Sequence, residues 1–223
     1  MRVKRLEKIE DIMAERTPPT WAVTDSIGHA IEYPAQLKQD RFVAGVCAHI
    51  HAGSFVDIGA GEPKKISNTY ALEKSFGWSG LLCDIEHFSA LERDRSPKNI
   101  VLRDALAPTS ADWSFHFASI ATKDRWIDFL SLDLEPPDLA ISVLLALPLN
   151  TFRFRVCCIE HDAYREERGK IRRDLIRCYM AWLGYNQVSC AGLASHGEIE
   201  DWFVHPNAGI DAAPTLRALQ FTQ

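Results

Sequence analysis

No stretch of this 223-residue chain is apolar for long enough to cross a bilayer. The longest apolar run, Ile141 to Leu149, is less than half of the roughly 20 residues that a spanning helix needs. The N-terminal MRVKRLEKIEDIMAER is charged throughout and lacks the apolar core of a signal peptide. Positive charge is not in excess either. Lys and Arg number 25 against 30 Asp and Glu, for a net charge of -5, so there is no electrostatic footprint for non-specific nucleic-acid binding. The six cysteines (Cys47, Cys83, Cys157, Cys158, Cys178, Cys190) show no CxxC spacing, which argues against a zinc site or a disulfide frame. They read as buried free thiols in a reducing compartment. These absences predict a cytoplasmic protein with neither membrane nor nucleic acid among its partners. Internal repeats and low-complexity segments are missing too.

What is present suits one globular domain with a short appendage, since 47% of the residues are hydrophobic. Residues 2–16 read as a charged, weakly amphipathic helix that Pro18 and Pro19 end. This divides the chain into an N-terminal helix and linker, 1–34, and a main domain, 35–223. From Asp40, a plausible N-cap, the pattern becomes regular. SFVDI, GLLCDI, NIVLRD, WIDFLSLDL and FRVCCIE read as five strands. SNTYALEKSF, ended by Gly77, HFSALERD and PPDLAISVLLALPL read as helices between them. A long helix follows in YREERGKIRRDLIRCYMAWLG, with Leu175, Ile176, Tyr179, Met180 and Leu183 as its buried stripe. YNQVSCA and DWFVH are late strands close enough to pair antiparallel. The fold class is therefore α/β, a doubly wound and mostly parallel sheet.

Ligands in such sheets bind beyond the carboxyl ends of the strands. Each of the first five strands ends in, or is followed at once by, an acid: Asp57, Asp84, Asp104, Asp133 and Glu160. Gly59 and Gly61 after Asp57 make a turn that approaches a ligand closely and opens onto a helix N-terminus. A full dinucleotide fingerprint would place glycine at position 64, where Lys64 stands. Asp84 can accept hydrogen bonds from both ribose hydroxyls, which predicts an adenosine-type ligand without separating NAD from S-adenosylmethionine. Asp133, Glu135 and Asp138 lie close together in SLDLEPPD, and Glu160, His161 and Asp162 in CIEHD. Such groups suit a general base or a hard-cation site; equally, Asp133 and Glu135 suit capping of the next helix. His49 and His51 form an H-x-H that fits surface or packing positions better than ligation.

Taken together, AQLKQDRFV, FVDIGAGEPKKISNTYALEKSFGWSGLLCDIE, IDFLSLDLE, CIEHD and the GY and DWFVH of the tail resemble the FkbM-type family of S-adenosylmethionine-dependent methyltransferases, over about residues 35–206. The resemblance implies a Rossmann-like seven-stranded sheet with its last strand pair antiparallel. It also implies methyl transfer to a hydroxyl of a sugar, polyol or secondary metabolite, with a small-molecule acceptor as partner. Carried over by position, Asp57, Gly59 and Gly61 lie along the methionine part of the cofactor, and Ala60, Asn68 and Ile85 are also cofactor-binding. Asp84 holds the ribose, Asp104 and Ala105 flank the adenine, and Asp133 and Glu135 face the methyl and the acceptor. The chain departs from the family pattern at Glu62–Pro63 and at Pro136–Pro137. The link from Asp104 to Asp128 is short, which implies a reduced helix or substrate cover. Its Trp113, Phe115, Phe117 and Trp126 suit either an acceptor pocket or the core.

Two chemistries fit these residues. His161 or Asp133 serves as the base for a hydroxyl acceptor, or a divalent cation such as Mg2+ on Asp133, Glu160 and His161 lowers the acceptor's pKa. An NAD-linked oxidoreductase and a non-catalytic module on the same fold are the rival readings. The residues leave the oligomeric state open.

Overall fold

The computed structural model describes residues 30–188 and 198–219; the charged segment 2–16 and Cys190 lie outside them. Seven strands form one sheet in the order β3-β2-β1-β4-β5-β7-β6. They are β1 (Ser54–Ile58), β2 (Ser79–Cys83), β3 (Ile100–Leu102), β4 (Trp126–Leu132), β5 (Arg153–Glu160), β6 (Asn186–Val188) and β7 (Glu200–Val204). The first five pair in parallel, while β7 runs antiparallel to both β5 and β6. All five residues of β1 are buried, and only the first residue of β4 is not, as expected for parallel strands covered on both faces. The expected class is what is found: α/β, mostly parallel, with an antiparallel last pair.

Helices cover both faces. They are α1 (Gln39–Val46), α2 (Tyr70–Phe76), α3 (Phe88–Asp94), α4 (Ser110–Ile120), α5 (Leu139–Ala146), α6 (Glu167–Trp182) and α7 (Ala213–Leu219). On one face, Trp113 and Phe117 of α4, Val143 and Leu144 of α5 and Ile176 and Met180 of α6 pack on Val56, Leu130 and Cys157. On the other, Phe42 of α1, Leu72 of α2, Leu91 of α3 and Leu219 of α7 pack on Phe55, Phe129 and Trp202. No helix among the described residues is long and apolar enough to cross a membrane.

Several local expectations are corrected. The link after β3 is not stripped down: α4 fills it, started by a capping box between Thr109 and Asp112. Trp113 and Phe117 are core, Phe115 faces solvent, and none of the four aromatics of this link lines the ligand cavity described below. Asp40 does not cap α1. It sits buried in the first turn, where its carboxylate accepts from the Ala35 and Arg41 N–H groups. Pro136 and Pro137 precede α5, and their carbonyls take the N–H groups of Leu139 and Ala140. Leu175 is exposed, not part of the buried stripe of α6. Gly77 ends α2 in the left-handed conformation, as read from the sequence. Cys47, Cys83, Cys157 and Cys158 are buried free thiols, but Cys178 is exposed.

Candidate active site at the carboxyl edge of the sheet

The order of the sheet reverses between β1 and β4, and a cavity of about 500 Å3 opens beyond the carboxyl ends of β1 to β4. Asp57, Asp84, Asp104 and Asp133, four of the five strand-end acids, line it. Gly59, Ala60, Gly61, Asn68, Ile85, Ala105 and Glu135 line it as well. The structure thus brings together every residue that the sequence placed along the cofactor.

The floor of the cavity is a turn that only glycine can make. Gly59 has φ +80, and a Cβ there would stand 1.4 Å from the Asp133 carbonyl oxygen. The turn is sewn to β2, with the Gly59 and Ala60 N–H groups on the Cys83 carbonyl at 2.8 and 3.1 Å. The Gly61 N–H donates to Asp84 Oδ2 at 2.9 Å. Asp84 Oδ1 accepts from the N–H groups of Glu86 and His87 and faces His87 Nδ1 at 3.2 Å. Four groups thus orient this carboxylate, and Oδ2 keeps a lone pair for a hydroxyl in the cavity. Ile66, Ile85 and Leu106 are exposed apolar side chains on the wall, placed to hold a flat apolar ring. The donor set fits an adenosyl group.

Asp57 is nearly fully buried and accepts from Thr69 Oγ1 at 2.6 Å. Burial pushes its carboxyl above the usual range, opposed by that hydrogen bond and by Arg95. Arg95, which belongs to no local sequence pattern, organises this side. Its buried guanidinium reaches Glu73 Oε2 at 2.9 Å, Thr69 Oγ1 at 3.2 Å, Ser67 Oγ at 3.4 Å and the Pro63 carbonyl at 3.5 Å. Burial raises the Glu73 carboxyl, and Arg95, Asn99 and Lys74 more than offset it, so it ends below its ordinary value. The unusual Pro63–Lys64–Lys65 stretch does not obstruct the cavity. Lys64 pairs with Glu32 at 2.9 Å and Lys65 with Glu62 at 3.5 Å, both at the surface. Asn68 Nδ2 donates to Ser131 Oγ at 3.0 Å, which holds its side chain at the wall.

At the β4 end of the cavity, Asp133 is open to the space yet crowded by protein. Burial raises its carboxyl, and a hydrogen bond with Glu160 opposes that rise. Glu160 is pushed up to about 11, by burial first and then by Asp133. The two carboxyls therefore titrate as a pair, each more reluctant to ionise than a surface carboxyl. Glu135 is engaged by the Arg165 guanidinium, which also lies 3.0 Å from Asp162 Oδ2. Neither Asp133 nor Glu135 caps α5; Asp138 stands at that N-cap and pairs with Arg172.

His161 is where the sequence misleads. It is fully buried and does not line the cavity. Its Nδ1 accepts from the Ala163 N–H at 3.2 Å, and its Nε2 faces Asp201 Oδ2 at 3.5 Å. The ring points towards β7 and not towards a reacting atom. The set Asp133, Glu160 and His161 consequently does not converge on one point for a divalent cation, because the His161 ring turns away to Asp201. Among the described residues no group of three His, Cys, Asp or Glu is arranged to hold a metal, and His49 and His51 are exposed. Sequence reasoning also passed over Ile66, Cys83, Glu86, His87, Arg103, Leu106, Leu134 and Leu139 of the wall. Most of them sit one to three residues from a strand-end acid, and that proximity was the signal available.

No family model matches the chain, and no curated protein does. Among solved structures it is similar to the METTL16 MTase domain, with a TM-score of 0.50 and 13% identity over 78% of this chain and 68% of that one. A TehB-like SAM-dependent methyltransferase from Corynebacterium glutamicum matches with a TM-score of 0.42 and 12% identity, over 91% of this chain and 96% of that one. A DUF574 family protein from Streptomyces avermitilis matches with a TM-score of 0.44 and 17% identity, over 75% and 81%. The METTL16 likeness is one of fold.

Proposed function

We propose that the chain is an S-adenosylmethionine-dependent methyltransferase that methylates a hydroxyl of a sugar, polyol or secondary metabolite. The observation that carries this reading is the cavity at the sheet reversal, where the Gly59 turn, Asp84 and Asp133 line one space. The FkbM-like order of the sequence motifs and the fold shared with the METTL16 domain support it. When bound, the cofactor supplies a methyl group already activated by its sulfonium. The Gly59–Gly61 turn and Asn68 hold its methionine part, Asp84 its ribose, and Ile85, Asp104, Ala105 and Leu106 its adenine. What remains for the protein is alignment, exclusion of water and removal of the acceptor's proton. Asp133 takes that proton, because it lines the cavity and its carboxyl is raised above the ordinary aspartate range. Glu160 hydrogen-bonds Asp133 from behind the wall and orients it. Glu135, held by Arg165, shapes the entrance for the acceptor. No step runs through a metal ion or through His161.

A ligand that binds only the folded chain raises its melting temperature. S-adenosylmethionine and S-adenosylhomocysteine are expected to do so and NAD is not. A shift with NAD and none with either adenosyl compound would replace this reading with the oxidoreductase. Adenosyl binding without transfer across a broad hydroxyl-acceptor screen would leave a non-catalytic module.

A further inference from the structure

The solvent side of α6 carries apolar residues that the cavity and the core do not use. Ile171 is 58% exposed, Leu175 53% and Trp182 75%, and Cys178 between them is exposed too. Their spacing is four, three, four. This is the seam by which one helix packs along another, whereas Ile176 and Met180 on the far side of α6 enter the core. Leu145 of the neighbouring α5, 59% exposed, is a further apolar side chain on this face of the sheet. The two helices are adjacent, since Arg168 and Arg172 of α6 both reach Asp138 at the start of α5. Trp182 is stacked on Tyr179, with ring centroids 5.9 Å apart, which presents it as a fixed plane.

We infer that this face is a two-fold interface between two copies of the chain, with α6 lying along α6 of the partner subunit. Three observations favour a second copy over another occupant. The seam is helical, so its complement is a helix with the same spacing, and the chain itself supplies one. An aromatic side chain presents roughly 150–250 Å2 and the aliphatic ones somewhat less, so the patch offers on the order of 500 Å2. With its polar margin it approaches the roughly 800 Å2 per partner of a stable interface. The third observation is charge. In a two-fold interface a patch meets itself, so unbalanced charge on its flanks repels. Here the flanking charges are largely neutralised within the chain: Lys170 with Glu167 at 2.9 Å, Arg173 with Asp174 at 3.0 Å and Arg177 with Asp201 at 2.6 Å, while Arg168 lies 3.9 Å from an Asp138 that also pairs with Arg172. A partner selected by charge would need the opposite arrangement, a flank of one sign.

Sedimentation of the full chain from micromolar to submillimolar concentration is expected to give twice the 25.1 kDa of one copy. Leu175→Glu combined with Trp182→Glu places charge in the centre of the seam and is expected to weaken the dimer by about 100-fold or more. Both residues are exposed, so the circular dichroism of the resulting monomer should match that of the parent. A short bismaleimide should link two parent chains through Cys178 and fail on Cys178→Ser. A chain that stays monomeric overturns the inference, as does a dimer that survives the double substitution or is not linked through Cys178. A monomer that dimerises only once residues 1–29 are removed also overturns it, because that segment then covers the face.

Discussion

Asp133 lines the cavity and Glu160 does not, which decides which side chain can act as the base. Asp133→Asn is expected to lower turnover by roughly 100-fold or more while leaving S-adenosylmethionine affinity nearly unchanged. Glu160→Gln keeps a neutral donor beside Asp133 and should retain most of the activity. The active form is the deprotonated one, so turnover should fall as pH drops through an apparent pKa above the ordinary 3.8 of an aspartate. A rate profile without an acid limb, or full turnover in Asp133→Asn, would remove Asp133 from this role. His161→Ala separates the sequence reading from the structural one: it should lower the melting temperature, because it opens a buried site beside Asp201, while the surviving folded enzyme turns over normally. Gly59 is constrained in another way. Gly59→Ala drives a Cβ into the Asp133 carbonyl, and that oxygen is backbone with little room to yield. Cofactor affinity should fall at least about tenfold, with a stability loss of order 1–3 kcal/mol. Ordinary affinity in this variant would mean that the turn is not the cofactor floor.

Between elements, Arg95 at the end of α3 joins α2, the turn after β1 and, through Thr69, Asp57. Its ion pair with Glu73 is buried on both sides. Arg95→Met takes the buried cation from Glu73, which keeps Lys74, Asn99 and the Ser96 N–H, and is expected to cost about 3 kcal/mol. Replacing both residues with apolar ones should recover much of that stability but not cofactor affinity, since Thr69 and Ser67 still lose their donor. If the double variant also binds the cofactor normally, the network does not position the loop. This level was largely hidden in the sequence. Strands β1 to β5 announced themselves as short apolar runs that each end near an acid, and that regularity also located most of the cavity wall. Arg95 lies 22 residues from Glu73 and belongs to no local pattern, so its role arises only when α3 packs beside α2. The direction of the His161 ring was equally hidden, because β7 supplies its partner Asp201 from 40 residues downstream. Helix α4 is legible in the sequence, because Thr109 and Asp112 are a capping signal three residues apart.

Across the whole molecule, titration of buried carboxylates couples folding to pH. Glu200 of β7 is fully buried, accepts from Gln39 Nε2 of α1 at 3.0 Å and from the Trp202 indole, and is raised by burial to about 7. Asp40 of α1 is likewise raised by burial to about 7. For a carboxyl whose pKa is higher folded than unfolded, the native state binds more protons within the window between the two values. Stability therefore falls as pH climbs from the ordinary 4.5 of Glu200 to about 7 and then levels off for this group. The slope approaches about 1.4 kcal/mol per pH unit for each such group in the middle of its window. Glu160, raised to about 11, extends the decline to higher pH. His205 works in the opposite sense, since burial and Arg153 lower its pKa and the native state gains as pH rises towards 6.5. Glu73 and Asp201, both below their ordinary values, lose their contribution only in stronger acid. Because several groups contribute, the informative quantity is the difference between the parent and Glu200→Gln, which removes one titration and keeps an acceptor oxygen. Urea unfolding at fixed protein concentration should show the variant gaining on the parent steadily as pH climbs through that window, with a constant difference above it. A difference that stays flat from acid to neutral pH would mean that Glu200 titrates as it does in the unfolded chain, and that its burial does not outweigh the hydrogen bonds from Gln39 and Trp202.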